Sequence, residues 1–180
     1  MKERYPANYE RIRETVRMAV PFFEDFTLEP DELHPGYIYL GWRERGSDMP
    51  FFAHHLSDGT LRLIALTTAL LQPELPNRPH TIFIDEPELG LHPYAITLLA
   101  SMMRAASKSV QLVVSTQSVN LLDELAEPEE VIVVERAASV AERAAGPSVF
   151  HRLDRARLEP WLEEYSLGEL WEKNVTGGRP

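Results

Sequence analysis

The sequence predicts an α/β domain, on three observations. Two nearly continuous apolar runs, Thr81-Ile-Phe-Ile and Gln111-Leu-Val-Val, are separated by one helix-length segment, the arrangement that gives a parallel pair with a crossover helix. A third, helical run over 58–71 is apolar on nearly every face. The chain has 180 residues, 44% of them hydrophobic and 9% aromatic, enough for one packed core.

Taken in order, Asn8 to Val20 spaces Ile12, Val16 and Ala19 or Val20 at helical intervals, and Pro21 stops the pattern, so an amphipathic helix opens the chain. Phe26-Thr-Leu-Glu, Tyr37-Ile-Tyr-Leu-Gly-Trp and Met49-Pro-Phe-Phe-Ala-His are β-prone, with a turn at Gly46-Ser47-Asp48, and together predict a small antiparallel sheet. From Ser57 the expected order is a helix over 58–71, a strand over 81–85, a helix over 93–107 and a strand over 111–115. The two strands are expected at the sheet centre, buried on both faces. Two more strands follow near 130–135 and 148–153, joined by an Ala-rich loop from Ala137 to Pro147. Ser166-Leu-Gly-Glu169 has capping-box spacing for a last short helix, and Gly177-Gly178 is expected to end the ordered chain.

Composition removes several classes of chemistry. With no cysteine there is no disulfide framework, thiol nucleophile or thiolate metal site. No apolar run approaches the roughly 18 residues that cross a bilayer, and Met1-Lys-Glu-Arg-Tyr-Pro leads into no signal-peptide core, so a cytoplasmic chain is expected. Lys and Arg number 18 against 28 Asp and Glu, a formal charge of −10, which gives no support for a general grip on DNA.

Two segments can carry chemistry. Asp85-Glu86-Pro87 ends an apolar strand, so two adjacent carboxylates stand at the carboxyl edge of a sheet, where α/β folds hold ligands. One can organise magnesium, and the other, turning off the strand, can address a water near a terminal phosphate. A strand running into an acidic turn explains the same residues. Leu56-Ser57-Asp58-Gly59-Thr60 opens the apolar helix with Ser57 as N-cap, where free N–H groups and a glycine permit close approach of a phosphate. Plain capping explains that segment equally, and Asp58 would repel an anion if it turned inward.

In order, these segments, then Ile84-Asp-Glu-Pro-Glu-Leu-Gly-Leu-His-Pro93 and Val113-Val-Ser-Thr-Gln-Ser118, resemble the ATPase core of the ABC superfamily, in particular RecF- and SMC-like AAA-type ATPases. The likeness is strongest over 50–135, and Trp161-Leu-Glu-Glu-Tyr-Ser-Leu-Gly-Glu-Leu-Trp171 also fits the group. The resemblance implies a P-loop NTPase core of ABC type, with a central, largely parallel sheet and a small antiparallel one. It also implies a single domain over 1–180: a helix and antiparallel arm (1–55), a signature-to-switch core (56–135), and a strand and helices (136–180). Carried over by position, Ser57 and Gly59 are signature-loop residues that touch ATP on an opposing subunit, and Asp85 is the Walker B organiser of Mg2+. Glu86 is the catalytic glutamate, while Glu88, Leu89, Gly90, Leu91 and His92 form the D-loop at a subunit interface. Gln117 stands where the family usually has the switch histidine. An amide donates a hydrogen bond but relays no proton, so slow hydrolysis is expected.

The sequence departs from the family in lacking a Gly-x-x-x-x-Gly-Lys-[Ser/Thr] P-loop. Gly41-Trp-Arg-Glu-Arg-Gly46 has the glycine spacing, but Ser47-Asp48 follows it, and it is read as a turn. The chain therefore resembles the carboxyl-terminal half of an ATPase, lacking its P-loop lobe, with ATP and Mg2+ conditional on a cradle from a P-loop-bearing partner or another segment. Association through the signature and D-loop face, with itself or another chain, is expected. The alternative is a non-catalytic interaction protein on a degenerate ATPase fold. A metal cluster of Asp85, Glu86, Glu88 and His92, or of His54 and His55, has nothing in the sequence to fix its geometry.

Overall fold

The computed structural model describes residues 1–34, 36–125, 127–137 and 146–178. They form two compact units, Met1–Ser115 and Thr116–Pro180.

In the first unit α1 (Pro6–Ala19) begins with Pro6, whose missing N–H costs nothing in a first turn, and buries Tyr9, Ile12, Thr15 and Val16 on one face. Strands β1 (Phe23–Thr27), β2 (Gly41–Glu44) and β3 (Pro50–Phe52) make the expected antiparallel sheet in that order. Trp42 and Phe23 are its fully buried anchors, stacked with ring centroids 6.2 Å apart. Tyr37 to Leu40 is not the strand the sequence suggests. Only Ile38 makes a bridge, to Pro30, and Tyr37, Ile38 and Tyr39 are exposed, because β1 pairs instead with residues from Gly41 onward. The glycines of the false P-loop serve this hairpin. A Cβ on Gly41 would lie 2.2 Å from Thr27 Oγ1, and Gly46 turns with φ 75°.

Helix α2 (Asp58–Leu70), strand β4 (Thr81–Asp85), helix α3 (Pro93–Ala106) and strand β5 (Gln111–Ser115) fall within a residue of their expected bounds. β4 and β5 pair in parallel, with Asp85 opposite Ser115. Burial on both faces is overturned. Ile84 is buried, but Phe83 and Val113, on the opposite face, are 77% and 42% exposed. Among the described residues these strands pair only with each other, and no element of this unit covers that face. The continuous apolar pattern therefore does not report two-sided burial here.

The second unit contains α4 (Val119–Leu125), the antiparallel pair β6 (Ile132–Arg136) and β7 (Ser148–Arg152), α5 (Arg155–Leu162) and α6 (Leu167–Glu172). Its core gathers Val133, Leu153, Leu158, Leu167 and Leu170. The capping box at Ser166 and Glu169 forms in both directions. Asp123 of α4 accepts from the Gly168 amide at 2.6 Å and the Ser166 hydroxyl at 3.1 Å, which fastens α6 to α4. Gly177-Gly178 does not end the order. Thr176 is buried and the Gly178 amide donates to Glu135, because the tail lies against β6. Residues 138–145 of the Ala-rich loop lie outside the described residues.

α1 is fastened to β1 by the Tyr9 hydroxyl, which donates to Asp25 at 2.5 Å. Burial, then the hydrogen bond to Asp25, raises the Tyr9 pKa far above its usual 10.0. Burial also pushes the Asp25 carboxyl up, but hydrogen bonds from Tyr9, Lys2 and the Phe26 amide outweigh it, and the net shift is down. A raised tyrosine pKa adds stability that is complete below the unfolded value and lost as pH rises; a lowered aspartate pKa adds stability that is lost as pH falls below about 3.8. Tyr9→Phe should therefore cost about 1–2 kcal/mol at neutral pH and flatten the alkaline decline. Urea midpoints measured from pH 7 to 11 check both effects.

Candidate functional site at the carboxyl edge of the parallel strands

β4 ends at Asp85, and the chain leaves the sheet through Glu86. The Glu86 amide continues the ladder by donating to the Ser115 carbonyl at 2.9 Å. Its φ of 40° then bends the backbone out of the strand direction, a left-handed conformation uncommon for a non-glycine residue. Such strained positions concentrate at functional sites. The Glu86 carbonyl accepts from Arg62 Nη1 at 2.7 Å and from the Leu89 amide at 3.3 Å. Asp85 is exposed, and the Ser115 hydroxyl donates to its Oδ1.

The turn that follows faces two ways. Pro87 is fully buried and Glu88 is 9% exposed, whereas Leu89, Gly90 and His92 face outward. Gly90 has φ 76°, which explains glycine there. His92 caps α3, accepting from the Tyr94 amide at 3.3 Å, and Pro93 occupies the first helical position.

The amino terminus of α2 meets this turn. Ser57 is its N-cap, and its Oγ accepts from the Thr60 amide at 3.2 Å. Two residues on, a Cβ on Gly59 would lie 2.0 Å from the Gly90 carbonyl oxygen, so the two backbones touch. Ser57, Gly59, Asp85, Glu86 and the 88–92 turn are thus brought onto one edge of the first unit. Gln117 lies in the second unit, in the exposed segment between Thr116 and α4, where the Ser118 hydroxyl accepts from the Leu121 amide. Sequence reasoning missed Arg62, whose only signal is a cation within an otherwise apolar helix. It also missed Ser115, whose register opposite Asp85 exists only in the folded sheet.

Hard oxygen donors at Asp85 and Glu86 suit a magnesium ion, and the Ser57–Gly59 helix terminus suits a phosphate. The Gly41–Gly46 segment, which has the glycine spacing of a phosphate nest, is instead a β-strand and turn. Among the described residues no three His, Asp or Glu side chains converge as a metal-binding group, and none of the helices is long and apolar enough to cross a membrane.

The fold is that of the SMC head, a P-loop NTPase architecture. A chain from work on ATP-driven dimerization and DNA stimulated activation of SMC ATPases matches with a TM-score of 0.57 and 16% identity, over 91% of this chain and 93% of that one. The Smc head domain of Pyrococcus yayanosii, solved with a coiled coil and joint, gives a TM-score of 0.59 at 17% identity over 88% of this chain and 29% of that one. The Pyrococcus furiosus Smc head, bound to the C-terminal domain of ScpA, gives 0.57 at 17% identity over 89% and 38%. The chain spans nearly all of the first and well under half of the other two. Residues 2–123 match the family described as "AAA domain, putative AbiEii toxin, Type IV TA system", and the chain belongs to that family. The resemblance to ABC and SMC-like ATPases is borne out. No curated protein matches the sequence.

The contact between Gly59 and Gly90 is directly testable. Gly59→Ala should cost about 2–3 kcal/mol, because backbone cannot yield as a side chain does, while Ser57→Ala should cost about 1 kcal/mol as a lost cap. Chemical denaturation of both variants checks the order.

Proposed function

We propose that the chain is the signature and Walker B half of an Mg-ATP-dependent ATPase whose phosphate cradle comes from another polypeptide or segment. The observation that carries this reading is the bare face of the β4–β5 pair. Parallel strands are ordinarily covered on both faces, and two strands alone make a poor sheet. Phe83 and Val113 share their face with Asp85 and Ser115, so whatever covers the apolar part also comes over the carboxylate. A cradle-bearing lobe would do both.

In this reading Asp85, steadied by Ser115, holds Mg2+, and Glu86 orients the attacking water. Ser57 and Gly59 contact the terminal phosphate of ATP on an opposing subunit, and the turn from Glu88 to His92 lies at that interface. Bound Mg2+ supplies charge stabilisation at the phosphates. Gln117 donates a hydrogen bond to phosphate without relaying a proton, which makes turnover slow. The partner is a second copy or a P-loop-bearing chain, in the cytoplasm. Solved relatives concern DNA-stimulated SMC ATPases, but the charge of −10 lends DNA binding no support. The second reading, a non-catalytic interaction protein, is favoured by Gln117 and by a sequence without a P-loop lysine motif.

Calorimetry with Mg-ATP separates them. The chain alone should show no binding up to millimolar ATP. Together with a P-loop-bearing polypeptide it should bind, with Asp85→Asn weakening binding and Glu86→Gln retaining uncleaved ATP. Micromolar binding to the chain alone would contradict the half-module reading. Hydrolysis by the assembly that survives Glu86→Gln unchanged would remove Glu86 from its role.

A further inference from the structure

Arg62 stands one helical turn after Gly59, on the same side of α2. Its Nη1 donates to the Glu86 carbonyl at 2.7 Å, and Gly59 presses on the carbonyl of Gly90. α2 therefore grips the turn after β4 at both ends, at Glu86 and at Gly90. The grip falls on the residue with φ 40°, a conformation that persists only when its surroundings hold it. The Glu86 amide is fixed from the other side by the Ser115 carbonyl at 2.9 Å, and its carbonyl by the guanidinium, so both peptide groups flanking its Cα are restrained. A side chain leaves its Cα in a direction set by those two peptides. Through the Glu86 carbonyl the arginine thus helps fix the direction in which the Glu86 side chain leaves the backbone.

We propose that Arg62 is a positioning residue for Glu86, and that through it α2 transmits any movement of the Ser57–Gly59 end to the Glu86 backbone of the same chain. The inference rests on the ATPase reading for its consequence, though not for the contact itself. If Ser57 and Gly59 meet a phosphate on an opposing subunit, its arrival is mechanically linked to the glutamate that serves this chain's own nucleotide. Two sites in an assembly would then be coupled through one helix.

The test uses Arg62→Ala and Arg62→Lys, with global unfolding midpoints as a control for folding. In the free chain, amide hydrogen exchange at Leu89 and Leu91, which donate to the Glu86 and Glu88 carbonyls, should quicken about tenfold in Arg62→Ala relative to amides in α3. Lysine, with a single charged donor group, should restore part of that protection. In the assembly with a P-loop-bearing polypeptide, kcat for ATP should fall about tenfold to a hundredfold in Arg62→Ala while KM stays within about twofold, since aim is lost and nucleotide contacts are kept. Unchanged exchange at Leu89 and Leu91 would overturn the hold on the turn. A loosened turn with unchanged kcat would overturn the positioning role. No hydrolysis by the wild-type assembly would overturn the ATPase reading and the coupling with it, while the exchange comparison alone still decides whether Arg62 holds the turn.

Discussion

The backbones of residues 59 and 90 touch, and much of the candidate site at the carboxyl edge of β4 and β5 is organised around that contact. Each position is glycine for a different reason. At 59 there is no room for a Cβ, and at 90 the φ of 76° is one that other residues rarely adopt. With the contact in place, Arg62 comes within reach of the Glu86 carbonyl, Pro87 is buried, and the chain arrives at His92 and Pro93 ready to start α3. The turn thus converts a strand end into a rigid platform. Packing through backbone rather than side chains leaves little slack, since no rotamer can give way.

The bare face of the parallel pair is the second organising feature. Burial of Ile84 on one side gives β4 its anchorage, and exposure of Phe83 on the other leaves apolar surface beside Asp85. Exposed apolar side chains thus stand beside the carboxylate of Asp85 on one face of the pair. Ser115 holds the Asp85 carboxylate and Arg62 holds the Glu86 carbonyl, so both residues at the strand end are tied to neighbouring elements.

The second unit relies on a separate device. A five-residue leucine and valine cluster supplies the core, and the Asp123 carboxylate satisfies two donors at the start of α6. Gly168 is required there because a Cβ would come within 2.6 Å of Val119. The familiar run from Trp161 to Trp171 therefore has a packing role visible in the structure.

The sequence by itself determined what local chemistry dictates. The period of α1, the N-caps at Ser57 and Ser166, the strands over 81–85 and 111–115, and the placing of two carboxylates at a strand end all follow from patterns a few residues long. It also determined, from the residues that follow, that the Gly41–Gly46 spacing is no P-loop, although the expected turn is confined to Arg45 and Gly46 and Gly41–Glu44 is strand β2, because it pairs with both β1 and β3. Tertiary structure decided everything that needs a partner distant in sequence. The apolar run of Phe83 and Val113 reads as two-sided burial, yet one face lies open, because the elements available in the unit cover only the other. Tyr37 to Leu40 has strand propensity, yet the register starting at Gly41 takes its place. Ser115 opposite Asp85, Arg62 on Glu86 and Gly59 on Gly90 join residues 24 to 31 positions apart. No local pattern encodes such pairs; they exist once α2 and the two strands have packed.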